Sequence, residues 1–170
     1  MNLEFYKSKF EREQRRRVDL DNAMNLPIVV SSIIMGLNSY VVKEHSFSKI
    51  WNFGDFVIIF LLLISCILIL FSSYFIFLAV NNLLKGFNYP NFELMNKYRE
   101  IEIYNKTALK ENSLDVIEII TDKIIKYADE STIINDKRGD DLSDARKYII
   151  LNFILSISNI IIVTSINILK

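Results

Sequence analysis

The sequence predicts an all-α integral membrane protein with three transmembrane helices and a helical cytoplasmic stalk, and three observations predict it. First, charged residues make up 24% of the 170-residue chain, yet three stretches contain none: Asn22 to Val42 (21 residues), Phe56 to Leu84 (29) and Tyr148 to Leu169 (22). A helix needs ~20 mainly apolar residues to cross the hydrocarbon core, so each run is long enough. Second, positive charge is unevenly spread. Six Lys and Arg precede the first run, two lie between the first and second, and eleven lie between the second and third. Third, only four Gly and two Pro punctuate the chain, which leaves long helices intact. A soluble domain of this size rarely buries three uncharged helices of such length. The first run also follows a long charged segment with no small-residue cleavage site, so a removable leader is not expected.

Residues 1–25 are expected to form a charged cytoplasmic helix. NLEFYKSKFEREQRRRVDLDNAM has no Gly or Pro, and Leu3, Phe5 and Phe10 give it a partial apolar face. The triplet Arg15, Arg16 and Arg17 lies just before the bilayer, where it suits anionic headgroups or a ligand's phosphates. Residues 26–84 hold the first two membrane helices. The first is the weaker, with Pro27 and Asn38 near its ends, whereas FVIIFLLLISCILILFSSYFIFLAV is apolar around its whole circumference. Ser32 and Gly36 on the first helix form a small-xxx-small pair, and Ser65 and Ser72 repeat at seven on the second. Both read as packing surfaces.

Residues 85–147 form the stalk. Gly86, Asn88 and Pro90 break the chain after the second span, and Phe92 to Lys110 reads as helix. Asn112 and Ser113 offer an N-cap for a helix beginning at Leu114. Leu114, Ile117, Thr121, Ile124, Ala128 and Ser131 then follow helical spacing, opposite a face of Asp and Lys, as in an exposed amphipathic helix. Gly139 alone, at ~1 kcal/mol, does not end such a helix, so the stalk is expected to run into the third span at 148–170. No second folded domain is expected. Placing the basic segments inside puts the N-terminus and stalk of this multi-pass protein in the cytoplasm and the short loop outside, as bacterial and eukaryotic membranes alike favour.

Recognisable catalytic chemistry is absent from the sequence. It contains no phosphate-binding glycine loop, zincin motif, nucleophile elbow or paired-Cys motif, and one His (His45) and one Cys (Cys66) make no metal site. No enzyme activity, cofactor or metal is expected. The spans carry no charge for a proton relay, which argues against a pump. Their polarity is uncharged. On the third helix Asn152, Ser156, Asn159 and Asn167 fall within about 80° of arc, with Val163 at the vacant step. An amide in hydrocarbon is costly without a partner or water. The stripe therefore either lines an aqueous path between copies, Val163 forming an apolar constriction, or holds helices together. The pore needs these groups to meet water; an assembled complex with Asn152 and Asn159 turned outward to lipid, or sealed inside a dry single subunit, would end the channel reading.

FYKSKFEREQRRRVDLDNAMNLPIVVSSIIMGL and YADESTIINDKRGDDLSDARKYIILNF resemble segments of small bacterial membrane proteins that act as effectors of anti-phage systems. The shared features are an aromatic, charged first helix, an Arg-rich turn and an LPI lead-in to the first span. The stalk pattern reads Ala128, Asn135, Arg138, Leu142 and Ala145. Ser131 stands where the group often shows Asn. The membrane effector of Hailong systems is similar in layout. That resemblance implies a homo-oligomeric channel, expected as a tetramer in the lipid bilayer, that depolarises the host membrane during infection. It also implies control by a cyclic nucleotide or a single-stranded oligodeoxyadenylate made by a partner nucleotidyltransferase. Phosphate contacts would fall on Arg15, Arg16, Arg17, Lys137 and Arg138, with Asn135 beside them. The competing readings are a non-conducting scaffold for a soluble partner and a toxin that disrupts the bilayer.

Overall fold

The computed structural model describes residues 3–45, 53–80, 88–91, 97, 99–101, 103–104 and 116–168. Among them the regular elements are helices: α1 (Leu3–Ala23), α2 (Asn25–Glu44), α3 (Phe53–Ala79) and α4 (Val116–Ile168). Three stretches of helix are long and apolar enough to cross a membrane, within Leu3–Glu44, Phe53–Ala79 and Ile117–Ile168. The chain is a membrane protein by that measure.

Only Met24 separates α1 from α2. Pro27 falls in the first turn of α2, where a missing N–H costs nothing because no intrahelical acceptor exists for it. α2 stops at His45, whose backbone turns extended while its N–H still bonds the Val41 carbonyl. The 27 residues of α3 give about 40 Å of helix, enough for a tilted span. α4 is a single 53-residue helix through Gly139, as the sequence predicts. The Asn112–Ser113 cap, Leu114 and Gly86 lie outside the described residues. Lys97, Arg99 to Ile101, Ile103 and Tyr104 are helical within the predicted 92–110 helix, whose other residues also lie outside. Residues 88–91 are non-helical.

The chain divides into two compact units, Met1–Asp19 with Gly86–Lys137 and Leu20–Lys85 with Arg138–Lys170. The limits of these units, near 19 and 137, lie a few residues before the expected segment limits at 25 and 147. The early face of α4 is not free. In the first unit Ile124, Ala128, Ser131 and Asn135 of α4 are buried, as are Glu13 of α1 and Tyr89. Ile117, on the same predicted face, is exposed.

The second unit packs α2, α3 and the later part of α4 in layers. Met24, Ala79 and Leu142 form one cluster, Ile34, Ile76, Ala145 and Ile149 the next, and Val41, Ile58 and Val163 a third. Large apolar side chains such as Leu26, Ile33, Phe60, Leu63, Leu70, Leu151 and Ile154 point outward. A soluble surface seldom carries so continuous an apolar coat, whereas lipid requires one.

Candidate functional site

The polar groups of the membrane unit gather inside it. Asn38 Nδ2 donates to Ser65 Oγ at 2.6 Å, and Ser65 Oγ donates to Asn152 Oδ1 at 2.5 Å. Asn152 Nδ2 donates back to the Ser65 carbonyl at 3.1 Å, and Ser156 Oγ donates to Asn38 Oδ1 at 3.1 Å. One residue from α2, one from α3 and two from α4 thus satisfy one another. Asn152, Ser156 and Asn159 are each 1% exposed. The side-chain oxygen of Asn159 has no hydrogen-bond partner among the described residues. Val163 packs against Val41 and Ile58. Asn167 departs from the column: it is exposed and donates to the Glu44 carbonyl at 3.3 Å.

Of the expected pore-lining residues Asn152, Ser156, Asn159, Val163 and Asn167, the first four are buried within a single chain and Asn167 is exposed. In this arrangement α2 and α3 of the same chain pack against that part of α4. The reason is energetic: an isolated chain satisfies its amides with its own Ser65 and Asn38 before any neighbour is met. Ser65 and Ser72 are packing residues, as expected, while Ser32 and Gly36 face outward. Beyond the column, His45 Nε2 lies 2.6 Å from Asp55 Oδ1, both side chains buried.

Arg138 is fully buried. Its Nε donates to the Ala79 carbonyl at 2.8 Å and a terminal nitrogen pairs with Asp21. Ala79 ends α3, so the guanidinium satisfies a carbonyl left without an intrahelical donor and complements the negative end of the helix dipole. Nearby, Asp144 accepts from Lys147 at 2.7 Å, and that bond and charge raise the ammonium pKa above its ordinary value.

In the first unit Glu13 and Asn135 form a buried node. Tyr89 Oη donates to Asn135 Oδ1 at 2.7 Å, while Asn135 Nδ2 donates to the Glu13 carbonyl at 2.9 Å and to Glu13 Oε2 at 3.1 Å. Arg12 and Arg16 approach the Glu13 carboxylate at 3.4 and 3.6 Å, and Arg16 also pairs with Asp136 at 2.7 Å. Arg17 stacks over the Tyr89 ring, 4.2 Å from its centroid, a cation–π contact. Ser131, one turn before Asn135, is buried with no hydroxyl partner among the described residues.

The predicted ligand set therefore divides. Arg138 and Asn135 are interior and occupied, Arg16 and Arg17 are engaged within the unit, and Arg15 and Lys137 are exposed. Sequence reading missed a better-formed feature, a cavity of about 500 Å³ walled by Phe5, Tyr6, Ser8, Lys9, Arg12 and Asp129. Phe5, Lys9 and Arg12 are spaced i, i+4, i+7, a signal present in the sequence. Lys9 bonds Asp129 at 3.1 Å, and Arg12 is largely exposed. Two aromatic rings beside two cations suit a ligand with both a flat face and a phosphate. No family model, curated protein or solved structure matches this chain, so its reading rests on these residues.

Proposed function

We propose that the protein is a subunit of a homo-oligomeric ion channel in the bacterial plasma membrane, an anti-phage effector held closed in the described form. Its cytoplasmic helices read a nucleotide or oligonucleotide, and its opening depolarises the host. The observation that carries the reading is the buried polar column. Asn38, Ser65, Asn152 and Ser156 bond one another here, whereas the buried Asn159 side-chain oxygen has no partner among the described residues, and water in a second arrangement of the helices would supply one. Opening on this view exchanges the bonds between α4 and Ser65 and Asn38 for water, a two-state helix shift. The Phe5–Tyr6–Lys9–Arg12 cavity supplies the ligand chemistry.

Liposomes loaded with a potassium-sensitive dye test this. Val163→Asn, which puts an amide between Val41 and Ile58, should raise flux, and Asn159→Leu should lower it, with the assembly intact. Added single-stranded oligodeoxyadenylate should change wild-type flux but not that of Lys9→Ala/Arg12→Ala. Unchanged conductance in both α4 variants removes α4 from the conducting path.

A second reading has its own support. Because most of the column is satisfied within one chain, the membrane unit also suits a non-conducting anchor that presents its cytoplasmic helices to a soluble partner. Assembled protein that passes no ion with or without the oligonucleotide selects that reading. Equal release of large and small solutes selects bilayer disruption instead.

A further inference from the structure

The membrane unit carries a groove of about 450 Å³ between α2 and α4. One stripe of each helix builds it: Leu26, Val30 and Ile33 from α2, and Arg146, Ile150 and Phe153 from α4, all at helical spacing. The two helices run the same way, since Met24 shares a cluster with Leu142, Ile34 with Ile149 and Val41 with Val163. The groove therefore lies along the helix axes, with Arg146 at the end where the uncharged run of α4 begins. From Arg146 to Ile154, at its other end, is about 12 Å of helix. One leaflet of the hydrocarbon core is ~15 Å thick. The groove matches it.

Arg146 is the single charged side chain of a lining that is otherwise apolar. It is exposed and makes no ion pair among the described residues. Its own helix brings no carboxylate within reach, because the positions three and four residues away are Leu142, Ser143, Ile149 and Ile150. The next cation, Lys147, is neutralised by Asp144 at 2.7 Å. A guanidinium matches a phosphate with two parallel N–H···O bonds, whereas the trough beyond it offers a ligand only methyl, methylene and ring surface. A neighbouring helix would cover the trough and leave the cation unmatched. An anionic amphiphile brings the phosphate and the hydrocarbon in one molecule.

We infer that the α2–α4 groove holds one anionic phospholipid, an acyl chain lying between the two helices and its phosphate on Arg146. Basic pockets between membrane helices recognise headgroups in this way. A zwitterionic lipid carries its own ammonium beside the phosphate and gains less from the guanidinium. The seated chain fills space that the side chains of α2 and α4 leave open, so the lipid becomes part of the packing of the membrane unit. Ion conduction plays no part in it.

Bromine quenching tests it with the full chain in vesicles. In a Trp51→Phe background, which removes the chain's one tryptophan, Ile154→Trp puts a reporter at the deep end of the groove. Leu63→Trp puts one on the exposed side of α3, away from it. The vesicles are phosphatidylcholine with a minor fraction of brominated phosphatidylglycerol or, separately, of brominated phosphatidylcholine. At Ile154→Trp the anionic lipid should quench at about fivefold lower mole fraction, the gain that one basic side chain contributes near an anionic headgroup. At Leu63→Trp the two lipids should quench alike. Arg146→Gln should remove the preference, Arg146→Lys should keep most of it, and Lys147→Gln should leave it intact. The comparison of the two reporters needs no change at Arg146, so a Gln variant that fails to fold leaves the test standing. Equal quenching by both lipids at Ile154→Trp overturns the site, as does a preference that survives Arg146→Gln in folded protein. Quenching by neither lipid means that another protein surface covers the groove. Relief of quenching by sn-glycerol 3-phosphate means that the guanidinium serves a soluble phosphate. Either result also overturns it.

Discussion

Arg138 shows how one side chain changes meaning with its surroundings. In the sequence it is a cation beside Lys137, suited to phosphate. In the fold it is sealed against the last carbonyl of α3 and the carboxylate of Asp21. Removing one partner of a buried pair leaves the other uncompensated, but Asp21 is about half exposed and recovers some hydration. Arg138→Ala should therefore destabilise the membrane unit by about 2 kcal/mol, read as a lowered Tm in detergent micelles. Asp21→Asn should cost less, since its amide oxygen still accepts. Equal, negligible effects would mean that the guanidinium anchors nothing.

At the scale of elements, helix identity was legible because its causes are local. The uncharged runs, the position of Pro27 in the first turn of α2 and the lone Gly139 each act within a few residues, and α2, α3 and α4 follow from them. Helix facing was only half legible. Asn152, Ser156, Asn159 and Val163 of the predicted stripe share a buried face of α4 while Asn167, named with them, is exposed, and periodicity cannot say what that face meets. The answer, Ser65 of α3 and Asn38 of α2, lies roughly a hundred residues away. A double-mutant cycle measures that answer directly. Ser65→Ala and Asn152→Ala should be coupled by about 0.5–1.5 kcal/mol in unfolding free energy. Strict additivity would separate the two side chains.

For the whole molecule, the arrangement of charge predicts an orientation with the N-terminus inside, since Lys and Arg resist transfer across the bilayer. Labelling with a membrane-impermeant maleimide in a Cys66→Ala background should modify Ser48→Cys in intact cells. Lys137→Cys and Ser8→Cys should react only after the membrane is opened. Labelling of Ser8→Cys from outside would invert the topology and put the Lys9–Arg12 cavity beyond the reach of any cytoplasmic nucleotide. The cavity itself was half legible: Phe5, Lys9 and Arg12 share a face of α1, but Asp129, which closes the far wall, comes from α4.

The linear order of residues determined that this chain is helical, that three of its stretches suit a bilayer, and that their polarity is uncharged. Those properties depend on solvation and backbone preference, which act at short range along the chain. Tertiary structure decided which polar groups are spent on one another. It turned the α4 stripe toward Ser65 and Asn38, withdrew Arg138 and Asn135 from the surface, and left Ser31 without a hydroxyl partner among the described residues. A hydrogen bond in lipid is worth having only with a partner at the right distance, and that distance is fixed by how helices remote in sequence lie against each other.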